Sequence, residues 1–267
     1  MEKRERARLS DRNILAYQRH VTLTAKGGEL LDEDGLLLFA GAHNYPGTFT
    51  NGVMRSDDGV PPEEVFRRAD AFFGPRRRGF ALWIRGDADA DLEAAARAAG
   101  LWPRPPAEGN PGLVVDHPPP AGGRPDLDVR AVADEVGRRH FLRIVGDAYG
   151  MDGAPTELVE AVMFSLESLA APTVTVFLGY HEGVPVSGCM VFLDEGVAGL
   201  YWAATLPQAR GRGLGTACYL AAWDAGFRAG ATYAAAMGSA MGAPLWVGLG
   251  FEVVTRYRRY LARPRPG

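Results

Sequence analysis

Apolar and polar positions recur along this chain with two periods, near 3.6 and near 2, and each change of period marks an element. In the first hundred residues Leu36 to Ala40 and Gly79 to Ile84 are short apolar runs of strand length. Pro62 to Phe73 and Asp89 to Ala99 carry the helical spacing, with Gly100 as the helix stop. Leu113-Val-Val115 adds a strand. Beyond it the pattern predicts a strand over Leu127 to Ala131 and helices over Asp134 to Ala148 and Thr156 to Leu169. Three strands follow, Thr173 to Tyr180, Val186 to Leu193 and Val197 to Thr205. His181-Glu-Gly-Val and Asp194-Glu-Gly196 are tight hairpin turns between them. A helix over Leu214 to Ala229 comes next, with Leu220, Trp223 and Phe227 as its apolar stripe and Asp224 and Arg228 as a solvated pair one turn apart. Ala231 to Ala236 is a strand, and a short helical stretch ends in Leu245-Trp-Val-Gly-Leu-Gly-Phe251. The order βααβββ, loop, αβαβ in the second half describes a mixed α+β fold.

His117-Pro-Pro-Pro-Ala-Gly-Gly-Arg-Pro125 interrupts this order, because four prolines and two glycines in nine residues sustain neither a helix nor a sheet ladder. The expected organisation is an N-terminal mixed α/β domain over residues 1–118, a Pro/Gly linker over 119–125 and a second domain over 126–267. A chain of 267 residues, 47% of them hydrophobic, is long enough for two cores.

Charge and cysteine content narrow the function classes. The formal net charge of −3 provides no global field for nucleic acid or an anionic membrane. Without an apolar run of about 20 residues, the expectation is a soluble, cytoplasmic protein. Cys189 and Cys218 are too few for a disulfide framework and are expected to be packed thiols. The five histidines have no metal-ligand spacing, so no metal site is assigned. Arg76-Arg-Arg78 and Arg256-Tyr-Arg-Arg-Tyr260 are expected to be solvated, the latter with a conceivable contact to a cofactor ribose phosphate.

The densest chemical signal is Gln208-Ala-Arg-Gly-Arg-Gly-Leu-Gly-Thr216, which joins the strand ending at Thr205 to the helix from Leu214. Glycines 211, 213 and 215 clear side chains from the backbone, and the first helical amides are unpaired and partially positive, so the segment suits a pyrophosphate. A Walker loop requires a lysine after the last glycine, where Thr216 stands; a dinucleotide fingerprint read from Gly211 requires glycine at that same position. The spacing R-x-x-G-x-G, from Arg210, Gly213 and Gly215, resembles the pyrophosphate loop of the GCN5-related N-acetyltransferase superfamily. Gly250-Phe251 resembles the Gly-Phe pair that closes a helix later in that fold, and the likeness spans roughly residues 126 to 263.

The resemblance implies an acyl-CoA N-acyltransferase fold, a mostly antiparallel sheet flanked by helices, that transfers acetyl from acetyl-CoA to an amine by direct attack in a ternary complex. The acceptor would be a small molecule or peptide amine. The cofactor would be held by Arg210, Gly211, Arg212, Gly213, Leu214, Gly215 and Thr216, and by the backbone of Ala203, Ala204 and Thr205, with an amide near Ala203 donating to the thioester carbonyl. The N-terminal half is either a degenerate copy of the same fold or an unrelated accessory domain. Two departures stand out. Between Val197 and Thr205 no carboxylate occurs to serve as base, the nearest being Asp194 and Glu195 in the turn. Trp246 occupies the place of a tyrosine that many members use to protonate the leaving thiolate, and an indole N–H is no practical acid. Tyr201, Tyr233, Ser239 and Trp246 are the remaining catalytic candidates, with Tyr257 as a further hydroxyl. A catalytically silent acyl-CoA-binding module is the alternative reading.

Overall fold

The computed structural model describes residues 1–42, 50–120, 127–150, 157, 159–160, 163–239 and 241–264. The chain opens with a 22-residue helix, α1 (Lys3–Thr24), that the apolar pattern does not announce. Leu9, Ile14, Leu15, Tyr17 and Val21 form its buried stripe, but Ser10, Asp11, Asn13, Gln18 and Thr22 are buried beside them. Its polar inward positions conceal the period that would identify an amphipathic helix.

The strands β1 (Glu29–Glu33), β2 (Leu36–Ala40) and β3 (Asn51–Arg55) follow as an antiparallel meander, then α2 (Pro62–Phe73), β4 (Phe80–Arg85), α3 (Ala90–Ala98), β5 (Trp102–Pro103) and β6 (Asn110–Val115). In the second half β7 (Asp128–Ala131) leads to α4 (Glu135–Ala148), capped by the Asp134 side chain on the Gly137 amide at 2.8 Å. The helix expected over Thr156 to Leu169 falls partly outside the described residues, and it is broken where it can be followed. Phe164 and Ser165 are not helical, and Ser165 caps a new short helix, α5 (Leu166–Ala170), by accepting from the Ser168 amide. A serine oxygen that satisfies the first amides of a following turn favours starting a helix over continuing one.

Next come β8 (Val174–His181), β9 (Val184–Asp194) and β10 (Val197–Thr205), joined by two-residue turns whose central residues, Glu182-Gly183 and Glu195-Gly196, all have positive φ. That geometry matches the strand twist and fixes the register. The chain ends with α6 (Leu214–Arg228), β11 (Tyr233–Met237), α7 (Ala243–Gly248) and β12 (Glu252–Ala262). In α6 the buried stripe is Leu214, Cys218, Tyr219, Ala222, Trp223 and Gly226, rotated from the expected one, since Leu220 and Phe227 are only half-buried. Asp224 and Arg228 do pair, at 2.7 Å.

The twelve strands of the described residues join one sheet in the order β1-β2-β3-β4-β12-β6-β11-β10-β9-β8-β7, with β5 alongside β12. The halves exchange strands. From before the proline-rich stretch, β6 lies between β11 and β12, while β12 pairs with β4 along Tyr257–Ala262. Residues 121–126 of that stretch lie outside the described residues. The arginine cluster at 256–260 therefore sits within a central strand, where Arg256 is exposed as expected but Arg258 and Arg259 are half-buried. Tyr257 and Tyr260 are buried, Arg258 pairs with Glu93 at 3.0 Å, and Arg256 donates to Gly109 O. Arg76 is likewise held, by Glu29 at 2.6 Å and over the Phe72 ring.

Alternation along the strands divides the core into two layers. Met190 and Phe192 of β9 face α1 and α4, while Cys189 and Val191 face α6. In the first half Leu37 and Phe39 meet α1, whereas Leu36, Leu38 and Ala40 meet α2 and α3. One helix, α1, thus spans the same face of both halves.

Candidate active site

The site begins where two parallel strands part. β10 and β11 pair in parallel from Val197↔Tyr233 to Leu200↔Ala236 and no further. Past that point Met237 keeps only the ladder that β11 makes to β6 on its other edge, opposite Gly112, and Tyr201–Thr205 keep their ladder to β9 alone, through a bulge between Tyr201 and Ala204. Trp202 at the bulge has φ of 55°, the left-handed region that an aromatic residue rarely adopts. One backbone edge of β10 is left open in a wedge between the strands, able to receive an extended chain.

Side chains from α1 and α4 hold the bulge. Trp202 Nε1 donates to the Tyr17 hydroxyl at 2.6 Å, and the Tyr17 ring stacks on Tyr201 with centroids 4.0 Å apart. Tyr201 donates to Asn13 Oδ1 at 2.7 Å, and Asn13 Nδ2 donates to Val197 O at 3.3 Å. Tyr149, exposed at the end of α4, directs its hydroxyl to Ala203 O at 3.5 Å and its ring edge to Trp202.

The glycine loop closes the wedge at the end of β10. Gly213 is the residue before α6 and has φ of 81°, and no side chain caps this helix, unlike α4 and α5. The first intrahelical bond runs from the Ala217 amide to Gly213 O at 2.9 Å, so the amides of Leu214, Gly215 and Thr216 have no intrahelical acceptor. A Cβ placed on Gly211 would meet nothing within 4 Å, whereas one on Gly215 would lie 2.5 Å from Thr205 Oγ1. Gly211 thus keeps the approach open, and Gly215 lets the helix press against the strand. Arg210 Nε donates to Thr205 O at 3.2 Å and Arg212 meets His181 Nε2. A cleft of about 540 Å³ opens between this loop and the β8–β9 turn. Exposed backbone donors, a helix N-terminus and two guanidinium groups fit a diphosphate, and the adjoining wedge fits the extended arm of coenzyme A.

The other catalytic candidates scatter. Tyr201 is buried, and burial with the nearby Tyr17 holds its phenol well above the ordinary range. Tyr233 pairs with Val197, at the end of the parallel ladder away from the wedge, with its hydroxyl near Met1. Ser239 accepts from the Gly242 amide at 3.1 Å on the exposed turn after β11. Trp246 is buried on α7 and stacks on Tyr219, ring centroids 3.5 Å apart. Tyr257 donates to Asp11 of α1. Asp194 and Glu195 lie at the start of β10, away from the bulge. Both cysteines are buried thiols. Among the described residues no cluster of metal ligands occurs, and no helix is long and apolar enough to cross a membrane. Asn13, Tyr17 and Tyr149 escaped sequence reading because each looks like an ordinary helical or core residue until the fold brings it to the bulge.

Comparison with known proteins agrees with this geometry. Residues 143–243 match the sequence profile of the Acetyltransferase (GNAT) family. Among solved structures, a GCN5-related N-acetyltransferase from Kribbella flavida aligns over 96% of this chain and 96% of its own, with a TM-score of 0.70 and 20% identity. A tandem GNAT protein from the clavulanic acid biosynthesis pathway aligns over 97% and 96%, with a TM-score of 0.63 and 13% identity. A GCN5-related N-acetyltransferase from Sphaerobacter thermophilus covers 89% of this chain and 83% of its own, with a TM-score of 0.58 and 17% identity. No curated protein matches the sequence.

Proposed function

We propose that this chain, whose residues 143–243 match the Acetyltransferase (GNAT) family profile, binds one acetyl-CoA at the β10–α6 loop and transfers the acetyl group to the amine of a small molecule or peptide by direct attack. The observation that carries this reading is the conjunction of an uncapped, glycine-opened helix N-terminus with a split in the parallel ladder beside it. Acetyl-CoA supplies an activated carbonyl. The amides of residues 214–216, with Arg210 and Arg212, hold the pyrophosphate, and the open edge at Ala203–Thr205 orients the arm. A backbone amide at the bulge, fixed by Trp202, Tyr17 and Asn13, is pre-positioned to stabilise charge on the carbonyl oxygen.

The first half supports a reading as a second copy that has lost its cofactor site. It repeats the plan, with β3 and β4 in parallel around α2, but Gly52↔Ala81 and Val53↔Leu82 are the only paired positions. The counterpart of the glycine loop carries Asp57, Asp58, Pro61 and Pro62, which bring negative charge and remove two amides. Arg55 fills the end of β3, bonded to Asp89 at 2.8 Å, Asp91 at 2.7 Å and Val60 O at 2.9 Å. A silent acyl-CoA-binding module remains the second reading, favoured by Trp246 on α7. Calorimetric titration with acetyl-CoA, followed by thiol release against a panel of amines, separates the two. Binding with amine-dependent release is expected; binding without release favours the silent module, and no binding refutes both.

A further inference from the structure

A gap between two strands gives onto both faces of a sheet. With α6 and its glycine loop on one face of the β10–β11 wedge, a cofactor held there leaves the face of α1 for the acceptor. On that face, at the end of the sheet where the wedge opens, stands a pair of arginines. β10, β11 and β12 run in one direction, because β11 pairs in parallel with β10 and both β11 and β12 pair antiparallel with β6. Trp202–Thr205, Met237 and Arg259–Ala262 therefore share one end of the sheet. Tyr257 meets Asp11 of α1, and Arg259, two residues on, faces the same way. The register Tyr260↔Pro103 continues for one residue through the Arg104 amide, which donates to Arg259 O at 2.8 Å. Arg104 and Arg259 thus stand directly opposite each other, with both side chains on the α1 face. Arg259 is half-buried and built in: its guanidinium lies 5.7 Å from the centre of the Trp83 ring and donates to Asn110 Oδ1. Asn110 Nδ2 in turn donates at 2.8 Å to Gly238 O, just past the point where β11 has left β10. Like charges directly opposite across two strands are unfavourable. Burial and the nearby Arg104 pull the Arg259 guanidinium down to about 10. An anion between the two arginines relieves that repulsion.

We propose that Arg259 and Arg104 recognise an anionic group, a carboxylate or a phosphate, on the amine acceptor, with Asn110 and Trp83 fixing the Arg259 guanidinium. The inference deepens the acetyl-CoA reading above and rests on it. A guanidinium fork binds either anion through two parallel hydrogen bonds. Adjacent strands lie about 4.8 Å apart, so β12, two strands beyond β11, sets the anion about 10 Å from the wedge. The acceptor is then an amine that carries negative charge at the far end of a chain of that span. Two arginines repel a second ammonium group, so polyamines are rejected by the same pair.

The test is calorimetric titration of the full-length protein with ω-aminooctanoate, its primary amide and aminooctyl phosphate, followed by acetyl-CoA. The parent is expected to bind an anionic compound about ten- to hundredfold more tightly than the amide, the worth of a hydrogen bond to a charged group. Whichever anion binds better tells carboxylate from phosphate. Arg259→Gln should erase the preference, whereas Arg259→Lys, which keeps the charge, should retain part of it. Arg104→Gln, at a half-buried position beside the central strand, should weaken it and serves as the test if Arg259→Gln does not fold. Acetyl-CoA affinity should stay at the parent's value in all three variants; its loss in Arg259→Gln would assign that charge to the cofactor and overturn the inference. A parent that binds none of the three amines or all of them equally, or a preference that survives both glutamine substitutions, also overturns it while acetyl-CoA binding stands. A parent that binds no acetyl-CoA overturns the reading beneath it.

Discussion

The hydroxyl of Tyr201 donates to Asn13 Oδ1 at 2.7 Å, tying the first helix to the strand that bears the bulge. Asn13 fits so closely over β10 that a Cβ on Gly199 would lie 2.0 Å from its Oδ1, and its amide reaches Val197 O as well. Asn13→Leu should leave the Tyr201 hydroxyl without its acceptor and destabilise the protein by about 2 kcal/mol or more. Tyr201→Phe alone should cost less. In the double variant the loss should be smaller than the sum, which urea denaturation of all four proteins measures.

Asp11, also on α1, predicts a pH dependence. Burial pushes its carboxyl up to about 6 from 3.8, despite the opposing pull of Arg85 and the Tyr257 hydroxyl. The folded state therefore holds a proton that the unfolded chain has released between about pH 4 and 6, and stability falls as pH rises through that window. The change is at most ~3 kcal/mol from this group. Asp11→Asn should gain stability relative to the parent between pH 4 and 7, and the gap should be level above pH 7. A flat difference across that range, read from thermal melts, would contradict the assignment.

Gly213→Val should abolish acetyl-CoA binding. A β-branched residue cannot hold φ of 81° without strain, and its side chain would stand among the free amides of α6. Gly211→Ala should be milder: its φ of 75° also strains a side chain, but a single Cβ there is not β-branched and meets no protein atom. Titration of each folded variant distinguishes the two, and full affinity in Gly213→Val would count against the loop as the binding site.

In the first half, Asp89 is fully buried between Arg55 and Arg85, with bonds of 2.8 Å to each. Asp89→Ala should cost about 3 to 5 kcal/mol by leaving two guanidinium groups short of a counter-charge. On the proposed reading of the first half as a second copy without a cofactor site, calorimetry of the parent should return one acetyl-CoA per chain. A stoichiometry of two would mean that the first half still binds.

Features governed by neighbouring residues were legible in the sequence. The strand, the R-x-x-G-x-G loop and the helix after it follow from glycine geometry and apolar period, as do the Glu-Gly turns that set the β8–β10 meander. These depend on a few consecutive φ/ψ choices, which the sequence states directly. Partners far apart in the chain were decided only in the tertiary structure. Helix α1 went unread because the strands supply hydrogen bonds to its buried Asn13, Asp11 and Ser10, and without those partners the residues look like surface. Arg258 and Arg259 looked solvated until β12 was seen between β4 and β6, an exchange that no local pattern encodes. Tyr219 reads as ordinary core in any helical projection. Its hydroxyl proves to have no partner among the described residues only once the fold encloses it, because satisfaction of a polar group is a property of the space around it.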